Sequence, residues 1–116
     1  MVNQDQRVTA IFAALADPTR RRIVERLSQQ GETRVTALAK PFRISLPAIS
    51  RHLRVLEDAQ LIKRHRHGRE HLIRPHTAGL KEAQKWMAHY AAGWDSGFDA
   101  LDELLRSAQQ QKEKLR

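Results

Sequence analysis

The stretch SLPAISRHLRVLEDAQLI, residues 45–62, decides the fold. Ser45 is a helix N-cap residue, and Pro47 suits the first helical turn, where its missing N–H is not needed. Ile49, Leu53 and Leu56 then recur at the i, i+4, i+7 spacing of one buried face. At about 100° per residue, Pro47, Ser50, Arg51 and Arg54 fall on the opposite side. A helix that buries one stripe in its own domain and offers Ser and two Arg on the other meets the needs of major-groove reading. Arg bonds bidentately to guanine, and Ser bonds several base edges. A solvated helix face is the plain alternative for an Arg pair, so the flanking sequence has to decide.

Upstream, Val8, Ile11, Phe12 and Leu15 mark an amphipathic helix over 5–16. Asp17-Pro18 stops it and supplies the N-cap and first residue of the next helix. That second helix turns Ile23, Val24 and Leu27 inward and ends at Gly31, a residue suited to the position just past a last turn. Thr33 to Lys40, with Val35, Leu38 and Ala39 apolar, predicts a short third helix closed by Pro41. Phe42 to Ile44 then makes a tight turn into the helix that starts at Ser45. A short helix, a tight turn and a capped second helix make a helix-turn-helix, in which the second helix enters the major groove and the first braces it.

Downstream the period changes. LIKRHRHGREHLIRP, residues 61–75, predicts two short strands about His67-Gly68-Arg69, with Pro75 stopping the second. Thr77 opens a long helix to 107 whose large apolar residues fall at Leu80, Met87, Tyr90, Trp94, Phe98, Leu101 and Leu105. Ala83, Trp86 and Leu104 widen that stripe, which suits a seam against another helix. Gly93 and Gly97, one turn apart, cost helix stability and permit close helix approach or a bend. The polar tail SAQQQKEKLR, 107–116, is expected to fray.

Composition narrows the partners. The 116 residues suit a single domain over 1–116, and 21 Lys plus Arg against 13 Asp plus Glu give a net charge of +8, which favours a polyanion. No apolar run approaches the ~20 residues of a membrane-spanning helix, and the start, MVNQDQRV, is polar. A cytoplasmic protein without a membrane partner is expected. Cysteine is absent, so disulfides and thiolate metal sites are excluded. There is no glycine-rich phosphate loop and no converging acid, base and nucleophile, so no catalytic residues are assigned and an enzyme is not expected. Glu57-Asp58 and Asp102-Glu103 read as solvated helix faces.

A helix-turn-helix followed directly by a basic hairpin is a winged helix. Through ALADPTRRRIVERL, 14–27, and AISRHLRVLEDAQLIKRHRHGREHLIRP, 48–75, in that order and separation, the chain resembles the ArsR/SmtB family of bacterial transcriptional repressors. The branch it resembles lacks the cysteine metal site. The resemblance implies a mainly α fold with a small β-hairpin, in the order four helices, two strands and a last helix. It also implies dimerisation through the first and last helices, 5–16 and 77–107.

Carried onto this sequence, the DNA-binding residues are Ser45, Pro47, Ala48, Ser50, Arg51 and Arg54 on the recognition helix and Lys63, Arg64, Arg66, His67 and Arg69 on the wing. The helix would set sequence preference, and the wing would add salt-sensitive, sequence-independent affinity. The implied dimer interface is Val8, Ile11, Phe12 and Leu15 with Leu80, Ala83, Met87, Tyr90, Trp94, Phe98, Leu101 and Leu105. Where the family has Ala-Gly-Leu-Val, this chain has Ala59-Gln60-Leu61-Ile62, so the turn must be made by Gln60 at a conformational cost. His52, at the edge of the buried stripe, is expected in a packed structural role. Arg20, Arg21 and Arg22 are open between phosphate contact and a solvated helix start.

Metal-sensing members of the family use a Cys-Val-Cys in the third helix. Here that place holds Arg34-Val35-Thr36, which offers no soft-metal ligand. The last helix has one histidine, His89, without a partner at i+3 or i+4. His65, His67 and His71 in the wing are a further candidate set with His76 nearby, but adjacent arginines oppose a divalent cation. No metal or cofactor is expected. The reading is a homodimeric, sequence-specific repressor of its own operon, bound to double-stranded DNA at a pseudo-palindromic operator. The alternatives are a small-molecule-sensing repressor using the aromatic dimer interface, and a winged-helix protein-interaction module.

Overall fold

Each of the first helices begins where the sequence supplies a cap. In the computed structural model, which describes residues 3–115, α1 spans Gln4–Ala16 and α2 spans Pro18–Gln30. Met1, Val2 and Arg116, the ends of the expected 1–116 domain, lie outside the described residues. Asn3 and Gln6 form a reciprocal capping box at the start of α1. The Asp17 carboxylate accepts from the Arg20 N–H at 2.9 Å to start α2. That hydrogen bond, helped by the charges of Arg20 and His52, holds the Asp17 carboxyl below its ordinary range. Gly31 ends α2 at φ 72° with its N–H on the Leu27 carbonyl, 2.7 Å away.

The next segment departs from expectation. Thr33 and Arg34 do not begin a helix; they form β1 (Thr33–Arg34), and α3 is the short Val35–Ala39. A 3-10 turn, Lys40–Phe42, and Arg43 in the left-handed region then lead into α4, Leu46–Asp58. The hairpin strands are β2 (Ile62–His67) and β3 (Glu70–Pro75), and α5 spans Ala78–Lys114. Thr33 pairs with Ile73 and Arg34 with Leu72, so the expected two-stranded hairpin is a three-stranded antiparallel sheet in the order β1-β3-β2. The free edge of β3 offers unpaired N–H and C=O groups, and the short extended segment after Gly31 satisfies them.

The buried set joins these elements into one core. Ile11 and Ala14 come from α1, Ile23 and Leu27 from α2, Leu38 from α3, Ile49, Leu53 and Leu56 from α4, and Ile62 and Ile73 from the hairpin. Burial of each large aliphatic side chain contributes roughly 1.5–3 kcal/mol, which offsets the ordering of short elements that would not persist alone.

The end of α4 fixes where the hairpin departs. Gln60 adopts φ 57°, its N–H donates to the Glu57 carbonyl at 3.0 Å, and the Leu61 N–H donates to the Leu56 carbonyl at 2.9 Å. These are the two bonds of a Schellman stop, with Gln60 at the place glycine usually takes.

Residues through Ala83 make one compact unit, and the remainder of α5 from Gln84 makes a second. The helix runs through to Lys114, past the expected end at 107, and Ala, Gln, Lys and Glu in that stretch are good helix formers. From Gln84 to Leu115 every residue is exposed. Among the described residues, no helix is long and apolar enough to cross a membrane.

Candidate nucleic-acid interface

The expected two-sided helix is present. Ile49, Leu53 and Leu56 are fully buried, while Pro47, Ser50, Arg51 and Arg54 are exposed and Ala48 is half-buried. Ser45 is the N-cap, its hydroxyl accepting from the Ala48 N–H at 3.2 Å. The inner stripe anchors α4, so the outer side chains stand on a rigid support.

The hairpin closes through a two-residue turn with Gly68 at its first central position, φ 65°, as a type II′ connection favours. Its register pairs His67 with Glu70, Arg66 with His71, His65 with Leu72, Arg64 with Ile73 and Lys63 with Arg74. Two cations, Lys63 and Arg74, therefore stand directly opposite each other, which disfavours the hairpin unless an anion neutralises them. Lys63, Arg66, His67 and Arg69 are exposed. Arg64 differs from them: it is half-buried, turned to the same face as Ile62, with its Nε 3.8 Å from the Glu57 carboxylate. That distance is too long for a hydrogen bond, and the buried Nε has no acceptor.

Between α4, β1 and the hairpin lies a cleft of about 400 Å³ lined by Ser50, Arg64, Arg69 and His71, and also by Arg34 and Thr36. The last two were missed from the sequence. Arg34 forms an ion pair with Glu70 at 3.2 Å. A second hollow of about 300 Å³, lined by Ser50, Arg51, Arg54, Glu57 and Arg64, shares Ser50 and Arg64 with it.

The arginines that open α2 have another use. Arg20 donates through Nε to the Ala14 carbonyl at 2.8 Å and through Nη2 to Ala13 at 3.1 Å. Arg21 donates through Nη1 to the Leu15 and Ala16 carbonyls, at 2.7 and 3.1 Å. Both satisfy the unpaired carbonyls at the end of α1, where positive charge is also favoured by the helix dipole. Arg20 Nη1 further lies 3.3 Å from His52 Nδ1, and His52 is 4.0 Å from Asp17. His52 thus has the packed structural role expected of it, tying α4 to the corner between α1 and α2.

The wing histidines do not gather. His65 and His67 share one face of β2, and His71 pairs with Arg66 on the other. His65 Nε2 instead meets Glu32 at 2.8 Å. Among the described residues no three His, Cys, Asp or Glu side chains are placed to hold a metal ion. At the position of the family's thiolates Arg34 is committed to Glu70, so these residues do not fit that metal.

The expected dimer residues divide. Val8, Ile11 and Ala83 are enclosed within the chain, at 7%, 2% and 2% exposure, and have almost no surface to give a second molecule. In the single chain they are core positions. Phe12 and Leu15 are partly buried against the core. Leu80, Met87, Tyr90, Trp94, Phe98, Leu101 and Leu105 are exposed. At Gly93 and Gly97 an added Cβ would meet nothing within 4 Å among the described residues, so none of these requires glycine there.

A helix-turn-helix bearing a basic antiparallel wing is the architecture of a winged-helix transcriptional regulator. A family model described as "Helix-turn-helix domain" matches residues 15–65. The chain is 36% identical over 80 residues to the transcriptional repressor SdpR of Bacillus subtilis (strain 168), covering 69% of this chain and 88% of that protein. It also matches the crystal structure of an ArsR family transcriptional regulator at 36% identity and a TM-score of 0.76, covering 83% of this chain and 98% of that one. A solution structure of the homodimeric winged helix-turn-helix DNA-binding domain Mb0332 from Mycobacterium bovis, a possible ArsR-family regulator, matches at 28% identity and a TM-score of 0.58. That match covers 75% of this chain and 78% of that one. The chain belongs to the ArsR family of transcriptional regulators, which are DNA-binding proteins and not enzymes.

Proposed function

We propose that the protein is a homodimeric repressor that recognises a pseudo-palindromic operator, each subunit placing α4 in the major groove. The observation that carries this reading is the division of α4. Fully buried Ile49, Leu53 and Leu56 stand behind exposed Ser50, Arg51 and Arg54, none of which has a side-chain hydrogen bond or ion pair among the described residues. Arg51 and Arg54 read bases, and Pro47, Ala48 and the Ser45 turn shape the approach. Lys63, Arg66, His67 and Arg69 hold phosphates or the minor groove, and Arg64 acts from the cleft between helix and wing.

The second copy is engaged by α5. Trp94 and Phe98, at 71% and 63% exposure, together with Leu101 and Leu105, form an apolar stripe too extensive for a lone helix in water. The related Mycobacterium bovis domain is homodimeric, which supports the same state here. A two-fold dimer presents two recognition helices and so selects two half-sites spaced by about one DNA turn. Repression of its own operon is the simplest regulatory circuit for such a protein.

Fluorescence anisotropy with the DNA upstream of its own gene and a scrambled duplex, across a salt series, tests the reading. Preference for the upstream DNA by ~1000-fold or more is expected. Equal, salt-sensitive binding to both would reject autoregulation by this route, and absence of binding to either would favour a protein-interaction module.

A further inference from the structure

The cleft between α4 and the wing holds two arginines that are each attended by a carboxylate of the same chain. Arg64 Nε faces Glu57 at 3.8 Å, and Arg34 Nη2 faces Glu70 at 3.2 Å. Both arginines line the cleft together with Ser50 and Thr36. When a recognition helix sits in the major groove and a wing reaches the neighbouring minor groove, the sugar-phosphate strand that separates the two grooves has to cross this saddle.

We propose that the cleft seats one backbone phosphate of duplex DNA, and that Glu57 and Glu70 are built-in competitors for it. The proposal rests on the reading of α4 and the wing as the DNA-binding surface. In the free protein Glu70 pairs with Arg34 at 3.2 Å, and Glu57 stands beside Arg64 at 3.8 Å without bonding its Nε, so a phosphate meets a carboxylate at each guanidinium. The Arg64 pair is incomplete: its Nε is buried, has no hydrogen-bond acceptor and is too far from Glu57 to form one. A phosphate oxygen entering beside Ser50 meets the part of the Arg64 guanidinium that lines the cleft, with a shorter, charge-assisted bond than the 3.8 Å approach of Glu57.

Glu57 lies in the last turn of α4, where the helix dipole disfavours negative charge. Glu70 flanks the hairpin turn in a chain that otherwise fills this wing with cations. The two carboxylates therefore lower affinity for every DNA sequence alike. They leave discrimination to Arg51 and Arg54, which have no acidic partner among the described residues.

The test uses the full chain with labelled upstream and scrambled duplexes across a salt series. Glu57→Gln and Glu70→Gln are each expected to tighten binding to both duplexes by about two- to five-fold, the range of a partly exposed ion pair. Each should steepen the dependence of log K on log salt by up to about 0.9. Asp58→Asn makes the same charge change one residue along α4 and should leave affinity nearly unchanged. The gain from Glu57→Gln should vanish in an Arg64→Gln background.

Equal tightening by Asp58→Asn would reduce the effect to net charge and overturn the proposal. Persistence of the Glu57→Gln gain without Arg64 would overturn it too. Wild-type binding with unaltered Glu57→Gln and Glu70→Gln variants would overturn the competition alone, whereas a wild-type chain that bound neither duplex would refute the DNA-binding reading beneath it.

Discussion

The Gly79 N–H donates to the Gln60 carbonyl at 2.9 Å, bonding the first turn of α5 to the turn that ends α4. A Cβ at Gly79 would lie 2.5 Å from the Ala59 carbonyl oxygen and 2.9 Å from that of Gln60, both backbone atoms that cannot swing aside. Gly79→Ala is therefore expected to lower stability by about 1–3 kcal/mol, as overpacking does elsewhere. Thermal unfolding followed by circular dichroism reads this directly, and an unchanged melting temperature would contradict so close an approach.

Gln60 itself pays for a conformation that glycine adopts freely, since φ 57° crowds its Cβ against the following carbonyl. Gln60→Gly removes that penalty but adds freedom to the unfolded chain, so the net gain is up to about 1 kcal/mol. Urea denaturation should show the higher midpoint with an unchanged slope. The substitution lies away from Arg51 and Arg54 and should leave operator preference intact.

What the sequence revealed depended on how local the signal was. Ser45, Asp17-Pro18 and Gly31 act within a turn of themselves, so the starts of α2 and α4 and the end of α2 could be read residue by residue. The strain at Gln60 was legible for the same reason: a left-handed stop had no glycine to make it. β1 was not legible, because two residues carry no alternation and their pairing is with Ile73 and Leu72, nearly forty positions away. Likewise Arg20 and Arg21 showed their charge but not their targets, which are the carbonyls left open by the end of α1. Glu57 read as a solvated face because its partner, Arg64, reaches it only after the chain has turned back through Gln60. The stripe on α1 is ambiguous for a related reason: it shows that a face is covered, and the fold shows Val8 and Ile11 covered by their own chain.

Asp17 links stability to pH. Its carboxyl is held below the ordinary range first by the Arg20 N–H, so its contribution is fully present above the unfolded-state pKa and is lost as pH falls through the lowered folded value. Asp17→Ala should cost about 1 kcal/mol at neutral pH, as the loss of an N-cap does. The gap between the variant and the parent should narrow as pH drops below the ordinary carboxylate range. Urea denaturation at neutral and acidic pH would show it, and a gap that stayed constant would mean that the carboxylate charge is not what caps α2.

Arg51 and Arg66 are both exposed cations, but they stand on different elements, α4 and β2. Arg51→Ala should weaken operator binding and relax preference at one base position by ~1–3 kcal/mol. Arg66→Ala should weaken all sequences similarly and lower the salt slope by about one. Binding measured on single-base operator variants and across salt separates the two effects. Identical behaviour of the two substitutions would contradict the division of labour between helix and wing.

Leu101 tests the assembly, because it is half-exposed in the stripe that also carries Trp94, Phe98 and Leu105, and has no role in the core. Leu101→Glu places a charge in a seam between two copies, where it would be desolvated without a partner. Sedimentation is expected to show monomers, with thermal unfolding of the buried core little changed, because that core is built from residues up to Ala83. Operator affinity should then fall steeply, since each subunit reads only a half-site and the second contact is no longer intramolecular. A Leu101→Glu protein that stayed dimeric and bound normally would move the interface to another face of the molecule.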